Sequence, residues 1–152
     1  MESRPRANDE AGDRIPDTMK AIRIHGHGDS SMLLYEEAPV PAILPDEVLV
    51  KVHSAGVNPV DWKIRAGFGS YRGAYSFPLI PGWDLAGSIV SAGTMVKTFK
   101  PGDIVFARPE PIGNGAYAEF AAVRGFEVAY APSKISQEEA AGIPLASQTA
   151  WM

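Results

Sequence analysis

No cysteine occurs in the 152 residues. Thiol catalysis, disulfide frameworks and every cysteine-containing zinc site are thereby excluded. Long apolar runs are also missing: nothing approaches the ~20 consecutive residues of a membrane-spanning helix, so no membrane partner is expected. Charge of one sign is lacking too. Fourteen basic residues stand against eighteen acidic ones, a net charge of -4, and the basic ones are scattered. No stripe exists to neutralise a row of phosphates, so nucleic acid is not an expected partner. Neither a G-x-S-x-G nucleophile elbow nor a G-x-G-x-x-G dinucleotide turn is found.

What the chain does have is punctuation. Fifteen glycines and thirteen prolines sit between short apolar runs, as expected where many short strands are separated by turns. The length suits one domain. Residues 1–18 carry five acids and three arginines with almost nothing apolar, which reads as a disordered arm rather than a signal or transit peptide. Met19 is an alternative translation start, because a strand pattern begins there at once. With no export signal and no cysteine, the expected compartment is the cytoplasm.

The predicted strands are Lys20 to Ile24, Met32 to Ala38, Glu47 to Ser54, Trp83 to Ala92, Asp103 to Ala107, Ala116 to Val123 and Glu127 to Ala131. In the third, Val48, Val50 and Val52 alternate with Leu49, Lys51 and His53, the two-residue period of a strand with one core face and one wetter face. Such a set predicts a mainly β chain, a closed or partly open barrel with a few short helices. Asn58 at an N-cap, Pro59 at the first helical position and Gly67 past the end delimit a helix of about two turns. Ser136 and Glu139 form a capping box that opens a second helix. Pro144 interrupts it and starts a third, which reaches Trp151 and Met152 with no capping residue after it, so a truncated chain is expected.

Few side chains stand out as chemistry. His25 and His27, with Asp29, share a strand end and a metal-like spacing, but a polar turn explains them as well because no third strong ligand is spaced to join them. His53 is either a solvated side chain or a general base. Phe68 opens an aromatic loop reaching Tyr75, either plain surface or the rim of an apolar cleft. Three segments carry more: Ser54 to Asp61 (SAGVNPVD), Pro81 to Gly93 (PGWDLAGSIVSAG) and Phe99 to Phe106 (FKPGDIVF), followed by Gly115 to Phe120 (GAYAEF). Turns and a barrel wall account for the individual glycines and aliphatics, but not for the order and spacing of the whole set.

At these residues the chain resembles the medium-chain dehydrogenase/reductase superfamily, in its zinc-free quinone oxidoreductase (zeta-crystallin-like) branch. The likeness runs from Met19 to Met152. It implies that residues 19–135 are the N-terminal GroES-like catalytic domain, and that residues 136–152 start the linking helices toward a Rossmann domain that this chain does not contain. Zinc-dependent members place Cys where this sequence has Asn58 and a His-Glu pair where it has Trp83 and Asp84. With Asn and Trp at those positions a catalytic zinc would lack its ligands, and residues 108–114 are too short for a structural-zinc lobe.

The resemblance implies hydride transfer from NADPH to a quinone or an α,β-unsaturated carbonyl, with the protein supplying orientation and a dry cleft. It points to Asn58 and Asp61 as catalytic candidates, to Asn58, Pro59 and Thr149 as cofactor-binding candidates, and to Trp62, Phe68 and Trp83 as substrate-pocket candidates. Each keeps a plainer alternative. Asn58 can cap its helix, Asp61 can orient the loop or pair with a base, and Thr149 can be an ordinary helical residue. Trp62 and Trp83 can be core aromatics, and Asp84 can be structural or functional. A homodimer is the implied full-length assembly. The fragment alone is expected to be inactive for want of a phosphate-binding glycine turn. The rival function is a non-catalytic, stand-alone GroES-like binding or assembly module.

Overall fold

The computed structural model describes residues 14–69, 72, 73, 75–109 and 115–152. Most of the expected arm, part of the aromatic loop and residues 110–114 of the segment too short for a zinc lobe fall outside the described residues. Strand β1 (Thr18–Arg23) pairs antiparallel with β2 (Leu34–Pro39), Thr18 opposite Pro39 and Arg23 opposite Leu34. The first strand thus begins before Met19. Asp17 also accepts from the Val40 N–H at 3.1 Å, and Ile15 packs on the cluster beneath. The second begins later than predicted because Asp29 ties residues 30–32 into a 3-10 turn, its carboxylate accepting from the Ser31 N–H at 2.9 Å.

A second, five-stranded antiparallel sheet contains β3 (Glu47–Gly56), β4 (Asp84–Ala92), β5 (Ile104–Ala107), β6 (Phe120–Arg124) and β7 (Val128–Tyr130), in the order β6-β3-β4-β5-β7. Among the described residues the two sheets do not close. They meet through isolated bridges, Ala21 to Ala118 and Ile24 to Leu79, which gives the mainly β, partly open barrel expected. The predicted strand Ala116 to Val123 is ladder only from Phe120. Its first residues cross between partners instead: the Ile22 N–H donates to Tyr117 O at 2.7 Å and the Tyr117 N–H to Pro81 O at 3.0 Å.

Strand β3 is longer than its alternation predicted, and its first half has no wet face. Val48 and Val50 are buried in the main cluster with Leu85, Ile89, Val105 and Val123. Leu49, on the opposite face, is buried under β1 and β2 with Met19, Ala21, Ala38, Ile80 and Phe120. The alternation survives beyond Val50, where Lys51 and His53 are exposed. Register shifts against β4 at Leu49/Val50 and Val52/Ser54 are the irregularities by which a strand bends around a core.

Three helices follow from their ends. Helix α1 (Pro59–Ala66) is stopped by Gly67 in the left-handed region at φ 71°, a conformation that a side chain would strain. Helix α2 (Gln137–Ala141) opens on the predicted capping box, with the Glu139 N–H donating to Ser136 Oγ at 3.2 Å and the Ser136 N–H to Glu139 Oε2 at 2.9 Å. It presses Ala140 and Ala141 onto Ala86 of β4. Helix α3 (Pro144–Trp151) leads away, its last two residues exposed. Among the described residues no helix is long and apolar enough to cross a membrane.

Candidate active site

The site is built where β3 turns into α1. Asn58 is extended, at φ -128° and ψ 158°, and Pro59 holds the first helical position, where no N–H is required. Asp61, three residues on, reaches back: its Oδ2 accepts from the Asn58 backbone N–H at 2.6 Å. The same oxygen accepts from the Tyr117 hydroxyl at 2.9 Å, across 56 residues of sequence. Asp61 therefore orients the loop, and its side-chain partner is a phenol rather than a base. Burial pushes its carboxyl pKa up; the Asn58 N–H and the Tyr117 hydroxyl oppose that, and the neighbouring Asp84 charge adds to it. The Tyr117 phenol is driven above its ordinary range, by burial first and then by Asp61.

Behind this loop lies Asp84, the first residue of β4, with none of its surface exposed. Its two oxygens are divided between two elements. Oδ2 accepts from the Asn58 side-chain N–H at 2.8 Å, and Oδ1 accepts from the Leu145 backbone N–H, in the first turn of α3, at 2.9 Å. Burial raises this carboxyl as well, against the pull of Asn58, the Leu145 N–H and the Arg108 charge. Asn58 itself is half-buried.

Residues 44–133 match the family described as the alcohol dehydrogenase GroES-like domain, more than half of the chain. The chain belongs to this family. It is 41% identical over 147 residues to the mitochondrial NAD(P)H oxidoreductase RTN4IP1 of Danio rerio, a match that covers 88% of this chain and 38% of the relative. Similarity to the 2-methylene-furan-3-one reductase of Solanum lycopersicum is 39% over 145 residues, covering 90% of this chain and 37% of the relative. Among solved structures, the quinone oxidoreductase of Coxiella burnetii superposes with a TM-score of 0.85 at 30% identity, covering 88% of this chain and 43% of that one. The chain thus spans about two-fifths of the length of the relatives it matches, their N-terminal part. The medium-chain dehydrogenase/reductase resemblance rests on the same relatives.

Within this GroES-like domain the two tryptophans part company. Trp83 is 1% exposed and packs with Ile24, Ile64 and Leu79, the surroundings of a core aromatic. Trp62 is 44% exposed and meets the 58% exposed Phe68 edge to face, ring centroids 5.4 Å apart. This pair stands open on the α1 side. Pro59 is exposed beside Asn58. Thr149 is exposed on α3, its hydroxyl donating to Leu145 O at 2.8 Å, a bond internal to the helix.

The histidines are engaged elsewhere. His25 Nε2 lies 2.7 Å from Glu36 Oε1, His27 Nδ1 3.0 Å from Ile64 O, and His53 Nε2 2.9 Å from Glu138 Oε1. Among the described residues no three of His, Cys, Asp and Glu gather as a metal site would require. Sequence reasoning weighed Asp84 but missed its partners, and it missed Tyr117 altogether. The available signals were an acid at the head of an apolar strand and a tyrosine inside the GAYAEF segment.

Proposed function

We propose that this domain forms one wall of the active site of an NADPH-dependent reductase. That enzyme passes hydride to a quinone or an α,β-unsaturated carbonyl without zinc, and the main seat of the dinucleotide lies in sequence outside these residues. The observation that carries the reading is the half-buried Asn58 amide, held by buried Asp84 at the root of α3. An amide side chain suits the carboxamide of nicotinamide, since each offers both a donor and an acceptor. The cofactor supplies the hydride when bound. Asn58 orients the ring or the substrate oxygen, and Asp61 and Tyr117 hold the loop that presents it. Trp62 and Phe68 offer an apolar edge to a flat substrate, while Pro59 and Thr149 flank the cofactor side.

A catalytic zinc does not fit these residues. It needs about three strong protein ligands and one open position. At the positions where zinc-dependent relatives carry ligands, this chain has an amide already bonded to Asp84 and an indole sealed in the core.

The test uses the longer protein that contains this domain, with NADPH and either a benzoquinone or a vinyl ketone, following cofactor absorbance. Oxidation of NADPH that survives dialysis against a chelator is the expected result. Stoichiometric zinc required for turnover overturns the metal-free part. Tight NADPH binding by the 152-residue chain alone, read by calorimetry, overturns the division of the site. The same preparation tests the homodimer, through its mass in sedimentation.

A further inference from the structure

We propose that Asp84 is the positioning residue of this site: a single carboxylate holds the Asn58 amide and the first turn of α3, so that both are set together. The inference rests on the reading that Asn58 faces the reacting end of the cofactor, and it adds a residue that acts through Asn58 and touches no ligand.

Three observations carry it. First, the two oxygens of Asp84 serve different elements, Asn58 on one side and Leu145 on the other. Second, the N-cap position of α3 is held by Ile143, which has no side-chain oxygen to cap the first turn. Asp84 therefore supplies, from β4, the acceptor that the local sequence lacks. Third, the backbone of β3 runs close to both neighbours: a methyl group added at Gly56 would overlap Ala141 O and lie 2.8 Å from Asp84 Cβ. The Asn58 NH2 donates to Asp84 Oδ2, which accepts.

The consequence is coupling between the group offered to the cofactor and the helix that leads out of the domain. In the 152-residue chain, NMR can follow the Leu145 backbone amide and the Asn58 side-chain NH2. Asn58→Ala makes no change at Leu145 itself, yet it frees one oxygen of Asp84. It is expected to shift the Leu145 signal and raise its hydrogen-exchange rate by about tenfold, the size of an interaction between groups sharing one partner. Asp84→Asn keeps the shape but brings a second NH2 to the junction. It is expected to move both signals, while His53→Ala moves neither. Leu145 unchanged in Asn58→Ala overturns the proposal.

In the longer protein, Asp84→Asn is expected to lower kcat about tenfold while leaving the melting temperature within a few degrees. The double exchange Asn58→Asp with Asp84→Asn, which restores a donor-acceptor pair in the opposite sense, is expected to recover the Leu145 exchange rate. Coupling at Leu145 without any reductase activity in the unaltered longer protein supports the positioning role and removes the functional reading. An active reductase whose Leu145 ignores Asn58 does the reverse.

Discussion

Two regions of this domain use the same bonding with different consequences. At the surface, His25–Glu36 and His53–Glu138 form polar pairs at 2.7 and 2.9 Å. At the root of α1 and α3, Asp61 and Asp84 form polar pairs at 2.6 to 2.9 Å. The distances are alike; the surroundings are not. In the exposed pair, hydrogen bonds from its own backbone N–H, His53 and Ser136 pull the Glu138 carboxyl down to about 2. In the buried region desolvation wins over the bonds that oppose it, and both aspartates are raised. Water screens and replaces a surface partner, whereas a buried group has only the partners the fold provides.

The largest expected break of this contrast is Asp84→Ala. It leaves the Asn58 NH2 and the Leu145 N–H without their acceptor. At about 1–3 kcal/mol for each buried donor left unsatisfied, the domain should lose roughly 3 kcal/mol. For a chain of this size that lowers the melting temperature by about 10 °C, read by calorimetry or circular dichroism. Next comes Tyr117→Phe, which removes one donor from a buried carboxylate and should cost about 1.5–2 kcal/mol in urea unfolding.

A subtler effect sharpens the contrast through pH. A carboxyl whose folded pKa is raised contributes stability below its unfolded value and loses it as pH rises through the folded one. Asp84 is of this kind, so the stability of the parent chain relative to Asp84→Asn should shrink as pH rises from about 4 upward. Glu138 is of the opposite kind. Its contribution is present above its ordinary value of 4.5 and is lost as pH falls toward about 2. The stability of the parent relative to Glu138→Gln should therefore shrink as pH falls through that window. Unfolding series at several pH values read both slopes, and slopes of equal sign would defeat the comparison. The smallest effect belongs to His53→Ala, expected to leave the melting temperature within about 1 °C.

How much of this was legible in the chain varies with sequence distance. Asn58-Pro59 and Gly67 delimit α1 because caps act within one turn. Ser136 and Glu139 open α2 for the same reason. The period of β3 was visible, but the burial of Leu49 was not, since β1 and β2 cover it from elsewhere in the chain. Residues 116–119 belong to the predicted strand Ala116 to Val123, yet they serve as a crossing between the two sheets. Trp62 and Trp83 looked equivalent as letters, and only packing made one a core residue and the other an open face. The order of the three motifs was enough to point to the family that residues 44–133 match.

The sequence by itself determined the local grammar: a cysteine-free, turn-rich β chain and the ends of helices α1 and α2. These follow from what a few neighbouring residues can and cannot do. The tertiary structure alone decided that Asp84 meets Leu145 across 61 residues and Tyr117 meets Asp61 across 56. A buried carboxylate will accept from any donor the fold delivers, and which donor arrives is settled by the packing of strands and helices far apart in the chain.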